Sequence, residues 1–305
     1  MIRSAGLLGL ALLFAPLASA AQAPPPPPPM VRVEGLAPVS EHVQVIPDNS
    51  VPLVPNVGLV VGATGVLVVD TGLGPANGAA VAAVMQQLAK GKKTYLVATH
   101  AHPEHDLGAQ AFPAETRMIR SREQAADIAD QGLKPAQVFA SRSPAIADLL
   151  KDARFRPADI SFDRDLTLDL GGVSVRLMAL GPNHTAGDTA IWVAEDRVLF
   201  SGDVAMKAQP VITTPQATLA HWFESLDRLE ALKPLVVVPS HGPVGDVAFI
   251  RRYRDYLAEV QKRTRDAKAA GLDQDAAVAR VTEAMAGAYP DRGRLAGAIR
   301  MAYVD

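Results

Sequence analysis

The chain of 305 residues contains no cysteine. That excludes disulfides, so the core alone must supply stability, and it removes a lipidated cysteine as an anchor. Any metal site must be built from nitrogen and oxygen ligands. Charge of one sign is not in excess: 30 Lys and Arg face 32 Asp and Glu, a formal net charge of −2, with no electrostatic case for nucleic acid. No basic run marks a membrane-binding patch. Gly-x-Ser-x-Gly does not occur, which argues against a serine nucleophile on an elbow. Gly72-Leu73-Gly74-Pro75-Ala76-Asn77-Gly78 has its last glycine one place late for a dinucleotide loop. It also lacks an acidic residue about twenty positions on, so it reads as a turn and a helix start. Long internal repeats are missing too.

The one long apolar run is N-terminal. Arg3 precedes Gly6 to Leu17, and Ala18-Ser19-Ala20 offers small residues at a cleavage point. Residues 1–20 therefore read as a secretory signal peptide, the run being shorter than the ~20 residues that span a bilayer. Residues 21–30 form a spacer, in which Pro24 to Pro29 is a stiff polyproline II stretch. The expectation is an exported, periplasmic protein with no membrane association after cleavage. Its oligomeric state is not legible.

With 49% hydrophobic residues, the remainder suffices for one large domain with an appendage. Strands are expected at 42–46, 57–62, 66–69, 94–98 and 118–119, with helices at 77–88 and 121–128, the second capped by Ser121. Residues 131–160 are less patterned and read as an insertion, either bordering a cleft or simply connecting. It carries Phe139, Arg142, Pro144 and an apolar helical turn around Ala147 to Leu150. A second batch of strands follows at 166–170, 173–180, 189–193 and 198–200, with a Gly171-Gly172 hairpin turn between the first two. A helix at 219–232, a strand at 235–238 and helical sequence from 247 to 303 complete the chain. Two batches of strands, each followed by helices, predict an α+β fold of two packed sheets covered by helices outside.

Three of the seven histidines fall within Thr99-His100-Ala101-His102-Pro103-Glu104-His105-Asp106, directly after an apolar strand. Pro103 suits a first helical position. His100 and His102, two apart on extended chain, point to the same side. Imidazoles and a carboxylate crowded at such a corner have the composition of a metal site. The corner recurs: Asp70, His184 with Asp188, Asp203 and His241 each follow an apolar strand. Singly, each reads equally well as a turn former. Jointly they resemble a site assembled on loops of a rigid scaffold. His42 is given no role, and His221, inside a helix beside Trp222, reads as packing.

Val-Val-Asp-Thr-Gly, Thr-His-Ala-His-Pro-Glu-His, Gly-Pro-Asn-His-Thr-Ala-Gly-Asp, Phe-Ser-Gly-Asp and Pro-Ser-His-Gly, in that order and spacing, resemble the motifs of the metallo-β-lactamase superfamily. The resemblance implies a four-layer αββα sandwich over 31–247, with a C-terminal helical segment at 248–305. It further implies that His100, His102 and His184 hold one zinc, and that Glu104, His105 and His241 hold a second, with Asp203 bridging. Zinc, two per chain, is the implied cofactor, and iron or manganese are alternatives. Asp70 and Asp188 would orient ligands and loops. The catalytic set is Glu104, Asp203 and Asp70, around a water acidified by the metals.

Where the family motif has Asp, this chain has Glu104. The longer side chain would ligate with a shifted backbone, serve as general base, or leave the second site weak. The implied activity is hydrolysis of a small-molecule ester, lactone, thioester or amide, β-lactams included. A β-lactamase proper, an iron-dependent oxidative enzyme and a catalytically weak metal- or solute-binding protein are the alternatives. The segments near 131–160 and 206–216 are expected to set specificity.

Overall fold

The structure, a computed structural model, describes residues 27–305. The signal peptide at 1–20 and residues 21–26 of the spacer lie outside the described residues. Chain entry is nonetheless anchored. The buried Asn77 amide donates to the Pro29 carbonyl (3.1 Å) and accepts from the Val31 N–H (2.6 Å), tying the end of the proline run to the body.

Two sheets carry the domain. The first has seven strands in sequence order: β1 (Ala37–Pro38), β2 (Val43–Ile46), β3 (Val57–Val61), β4 (Gly65–Val69), β5 (Lys93–Val97), β6 (Arg117–Ser121) and β7 (Ile160–Phe162). It is antiparallel through β4 and parallel from β4 to β7. The second has β8 (Asp165–Asp169), β9 (Ser174–Gly181), β10 (Asp188–Val193), β11 (Val198–Gly202) and β12 (Val236–Pro239) in the order β12-β11-β10-β9-β8, with only β11 and β12 parallel.

Alternation along each strand divides the apolar residues between two faces. Leu67 and Val69 of β4 meet Leu177, Ile191 and Phe200 of the second sheet in a core between the sheets. Val66 and Val68 point the other way, into a layer with Val81 and Met85 of α1 (Gly74–Ala89). On the far side, Trp192 and Leu199 pack under Leu226 and Leu229 of α6 (Leu219–Ala231). Helix, sheet, sheet and helix therefore stack as four layers, as the sequence predicts.

Several short elements are legible in sequence: the helix start at Pro103, the helix after Ser121 and the apolar helical turn near 147–150. Between β5 and β7 in chain order come α2 (Pro103–Asp106), α3 (Arg122–Gln131), α4 (Lys134–Ala140) and α5 (Pro144–Leu149). Ser121 does cap α3, accepting from the Gln124 N–H at 3.0 Å. The weakly patterned 131–160 stretch thus holds two helices and a strand, with Phe139 buried in a small core of Leu73, Leu107 and Leu150. After the last strand, α7 (Ala248–Ala269), α8 (Gln274–Met285) and α9 (Arg292–Val304) add Leu257, Val281 and Leu295 to the outer layer of the second sheet.

Candidate metal centre

Asp70 follows β4, the histidine cluster follows β5, His184 follows β9, Asp203 follows β11 and His241 follows β12. Hydrogen bonds close these corners on one another across the gap between the sheets. The Asp70 carboxylate accepts from the Thr99 N–H (2.7 Å) and hydroxyl (3.0 Å), and the Thr99 carbonyl accepts from the Thr189 N–H (2.8 Å). The Ser240 N–H donates to the Gly202 carbonyl (3.1 Å). Five strand ends become one site.

The extended backbone at His102 (φ −75°, ψ 150°) and the first turn of α2 place the cluster as its local sequence predicts. His100 Nε2 and His184 Nε2 each lie 3.1 Å from His102 Nδ1. Ligands in a tetrahedral shell with bonds of about 2.0–2.1 Å sit about 3.3 Å apart, so the three nitrogens have the spacing of one shell. Burial, reinforced by the neighbouring imidazoles, holds His100 and His102 well below the usual histidine range. Both are therefore neutral and present lone pairs.

Glu104, His105 and His241 form a second group, and His100, His105 and Asp203 a third; within each, the candidate ligand atoms lie within 4.8 Å of one another. The imidazole orientations are set from behind. His105 Nδ1 donates to Asp70 (2.9 Å), His184 Nδ1 to the Val211 carbonyl (2.7 Å) and His241 Nδ1 to the Val54 carbonyl (3.0 Å), which leaves each Nε2 as the ring nitrogen available to the site. Burial works against a charged His105, but the Asp70 carboxylate outweighs it and lifts the imidazole to about 9. Burial would also raise Asp203, yet His184, His241, His105 and His102 around it hold the carboxyl below its ordinary value.

Of the eight buried side-chain polar atoms without a hydrogen-bond partner among the described residues, three sit together here: Glu104 Oε2, His105 Nε2 and Asp203 Oδ1. Orphaned buried polar atoms are costly unless something else satisfies them. All three belong to the groups above, and all are nitrogen or oxygen donors suited to a divalent metal. The donor set fits a metal. Glu104 reaches its group despite the extra methylene, with Oε1 4.0 Å from His105 Nε2.

Asp70 lies behind the site. Its backbone is left-handed (φ 64°), and its oxygens are taken by Thr99, His105 and Ser240, so it acts on the cluster through His105. Asp188, lifted by burial to about 6, accepts from the N–H groups of His184 (2.6 Å) and Thr185 and folds the 183–188 loop. His221 binds the Leu180 carbonyl (2.5 Å) on the outer layer, away from the cluster, in keeping with a packing role.

Other supports carry no local sequence signal. Asn56 donates to the Pro239 and Gly242 carbonyls (2.8 Å each), and Asp48 accepts from the Gly242 N–H (2.8 Å), clamping the turn that carries His241. Tyr253 of α7 donates to the Asp203 carbonyl (3.1 Å). A cavity of about 720 Å³ opens over His102, Glu104, His184, Asp203 and His241. Its walls come from 131–155 and 211–214, the segments expected to border a cleft, together with Asp48, Leu53 and Arg294.

Two sheets face to face under helices, with imidazoles and carboxylates gathered at one edge, define a scaffold for a divalent-metal site. The family model of the metallo-beta-lactamase superfamily matches residues 51–241, and the chain belongs to that superfamily. Among curated proteins it is 27% identical over 245 residues to the linear primary-alkylsulfatase of a Pseudomonas species, covering 69% of this chain and 44% of that one. The chain spans between about a third and a half of the length of the curated relatives it matches. Among solved structures, a metallo-beta-lactamase from Pontibacter korlensis superposes with a TM-score of 0.58 at 21% identity, covering 72% of this chain and 96% of that one. The sec-alkylsulfatase Pisa1 from a Pseudomonas species gives 0.67 at 16% identity, covering 88% and 49%. Those two likenesses concern the fold.

Proposed function

We propose that the chain is an exported, zinc-dependent hydrolase of small-molecule esters, lactones, thioesters or amides. The observation that carries this reading is the convergence of His100 Nε2 and His184 Nε2 on His102 Nδ1, 3.1 Å away in each case, beside the orphaned atoms of Glu104, His105 and Asp203. His100, His102 and His184 would hold one ion, and Glu104, His105 and His241 a second, with Asp203 between them. When bound, such ions acidify water and polarise the oxygen of an electrophilic centre. The protein's part is to hold its ligands ready. Asp70 and the Val54 and Val211 carbonyls fix three ring orientations, and burial keeps His100 and His102 neutral. Glu104 and Asp203, both lining the cavity floor, are the carboxylates able to hold a proton in transit between water and leaving group.

A second reading, sulfate-ester hydrolysis, is favoured by the similarity to a linear primary-alkylsulfatase over 69% of the chain and by the apolar residues of the cavity wall. Metal analysis after zinc loading, paired with turnover of 4-nitrophenyl acetate, a γ-lactone, a cephalosporin and dodecyl sulfate, tests both readings. Two zinc ions per chain and chelator-sensitive cleavage of a carboxylic ester or lactone are expected. Cleavage of dodecyl sulfate alone would move the assignment to the second reading. A protein that binds no metal, or a full load without turnover of any substrate, would overturn both. Tight retention of iron through purification would point instead to an oxidative member.

A further inference from the structure

The cavity over the metal centre has a charge that nothing in the protein answers. Two arginines line it. Arg294 of α9 is already engaged, by Asp291 at 3.2 Å and by the Gln209 carbonyl at 2.7 Å. Arg142, in the turn after α4, makes no ion pair or side-chain hydrogen bond among the described residues. Its guanidinium carbon instead sits 4.0 Å above the Phe139 ring centroid. None of the four acidic groups of the same cavity pairs with it: Glu104 and Asp203 belong to the metal centre, Asp48 accepts from Gly242 and Ser50, and Asp127 from the backbone of Ala186.

Stacking fixes the plane of the guanidinium while leaving its N–H fork free, the arrangement arginine uses to receive a carboxylate, sulfate or phosphate in bidentate fashion. The ring beneath is itself held: Phe139 is buried in the small core with Leu73, Leu107 and Leu150. Its centroid lies 6.4 Å from that of His102. The cation therefore stands one aromatic ring away from a candidate metal ligand. The surface between and around them is apolar, from Pro135, Val138, Phe139 and Phe155, and Val138 is left 60% exposed. An apolar side chain so open at the mouth of a cavity is poised to cover a ligand's hydrocarbon.

We infer that this pocket selects substrates that carry an anionic group separated from the bond to be cleaved by a short apolar stretch, and that Arg142 receives that anion. The inference rests on the hydrolytic reading for the identity of the scissile bond, but the anion-binding part stands apart from it. Arg142 is a specificity residue here; it has no part in bond cleavage.

A matched pair of esters tests it. Mono-4-nitrophenyl glutarate and 4-nitrophenyl pentanoate share acyl length and leaving group and differ in the terminal carboxylate. For the zinc-loaded enzyme the ratio of kcat/KM, glutarate over pentanoate, is expected to fall about tenfold in Arg142→Gln, mainly through KM, and to be partly kept in Arg142→Lys. An unchanged ratio overturns the proposal. Calorimetric binding of octanoate to the metal-free protein is the second readout, with affinity expected to weaken at least fivefold in Arg142→Gln. Equal affinity in both proteins, or no binding to either, overturns the anion site. Absence of turnover of either ester, with octanoate binding still dependent on Arg142, would instead remove the hydrolytic reading and leave the anion site standing. Arg142 is exposed, and the Phe139 ring beneath it is held by its own small core, so circular dichroism is expected to show both variants folded.

Discussion

Arg120 grips Asp106 with two guanidinium nitrogens in an ion pair that is almost wholly sealed from solvent, one residue beyond the ligand candidate His105. The same guanidinium donates to the Arg156 carbonyl (3.0 Å) and to Gln124 Oε1 (3.0 Å), and Gln124 in turn donates to the Ala98 carbonyl (3.0 Å). The pair thus bolts the end of α2 to β5, to α3 and to the loop before β7. Removing only the cation strands a buried carboxylate, which costs about 3–5 kcal/mol. Arg120→Met is expected to lower the unfolding free energy from urea titration by that much. Arg120→Met with Asp106→Leu is expected to recover part of the loss, because no lone charge then remains buried.

Metal binding is expected to raise stability, because the donors are buried and unsatisfied without it. At free zinc a hundredfold above the dissociation constant the gain is about 2.7 kcal/mol, read as a rise in Tm that a chelator reverses. Glu104→Gln should hold one zinc per chain in place of two. Glu104→Asp should bind the second ion at least as tightly as the native protein, and a sharp fall in its affinity would refute the idea that the longer carboxylate is a compromised ligand.

Asp70→Asn keeps the shape but removes the charge behind His105. Supports of this kind are worth about 10–100-fold in metal affinity. A loss in that range is expected for the ion held by Glu104, His105 and His241, with the His100, His102 and His184 ion affected less. Competition with a chromogenic chelator resolves the two steps.

His42 and Asp196 tie the two sheets together at the opposite end of the second sheet's central hairpin. Asp196 accepts from Ser40 Oγ (2.5 Å), the His42 N–H (2.7 Å) and His42 Nδ1 (2.8 Å). The hydrogen bond to Asp196 raises the His42 pKa, against a smaller desolvation effect, while the bonds from His42 and Ser40 overcome burial and lower that of Asp196. A raised histidine contributes stability that is complete below its unfolded value of about 6.5 and is lost as pH rises through the folded value. A depressed carboxyl contributes stability above its unfolded value of about 3.9 and loses it as pH falls through the folded one. The stability gap between native protein and Asp196→Asn should therefore be widest near pH 5 to 6 and narrower at pH 8, in denaturant titrations at each pH.

Gly78→Ala should destabilise, against the helix preference of alanine of about 1 kcal/mol. A Cβ at this position of α1 would fall 1.9 Å from the Gly108 carbonyl oxygen, so the helix must move off the loop that follows α2. A lower Tm with weakened metal binding is the expected pair of results. A higher Tm would show that the loop yields.

Much of this molecule was readable before folding. The strands that carry the site are continuous apolar runs, because a strand covered on both faces needs hydrophobic residues at every position. A histidine or carboxylate directly after such a run therefore stands out, and His100, His102, His184, Asp203 and His241 did so. The short β1 and β7 and the helix α4 escaped, since two to seven residues hold too little periodicity to register.

The amino-acid sequence by itself determined the candidate ligand types, their order along the chain and the four-layer plan. These follow from local patterning and from residues next to one another. Only the tertiary structure decided which ligands share a group, that Glu104 turns toward His105 and His241, and that Asp48, Asn56, Arg120 and Tyr253 brace the corners. It also set Arg142 over Phe139 at the mouth of the cavity. Most of these are contacts between residues far apart in sequence, made by burial and hydrogen bonding across two sheets, and no short-range pattern encodes them.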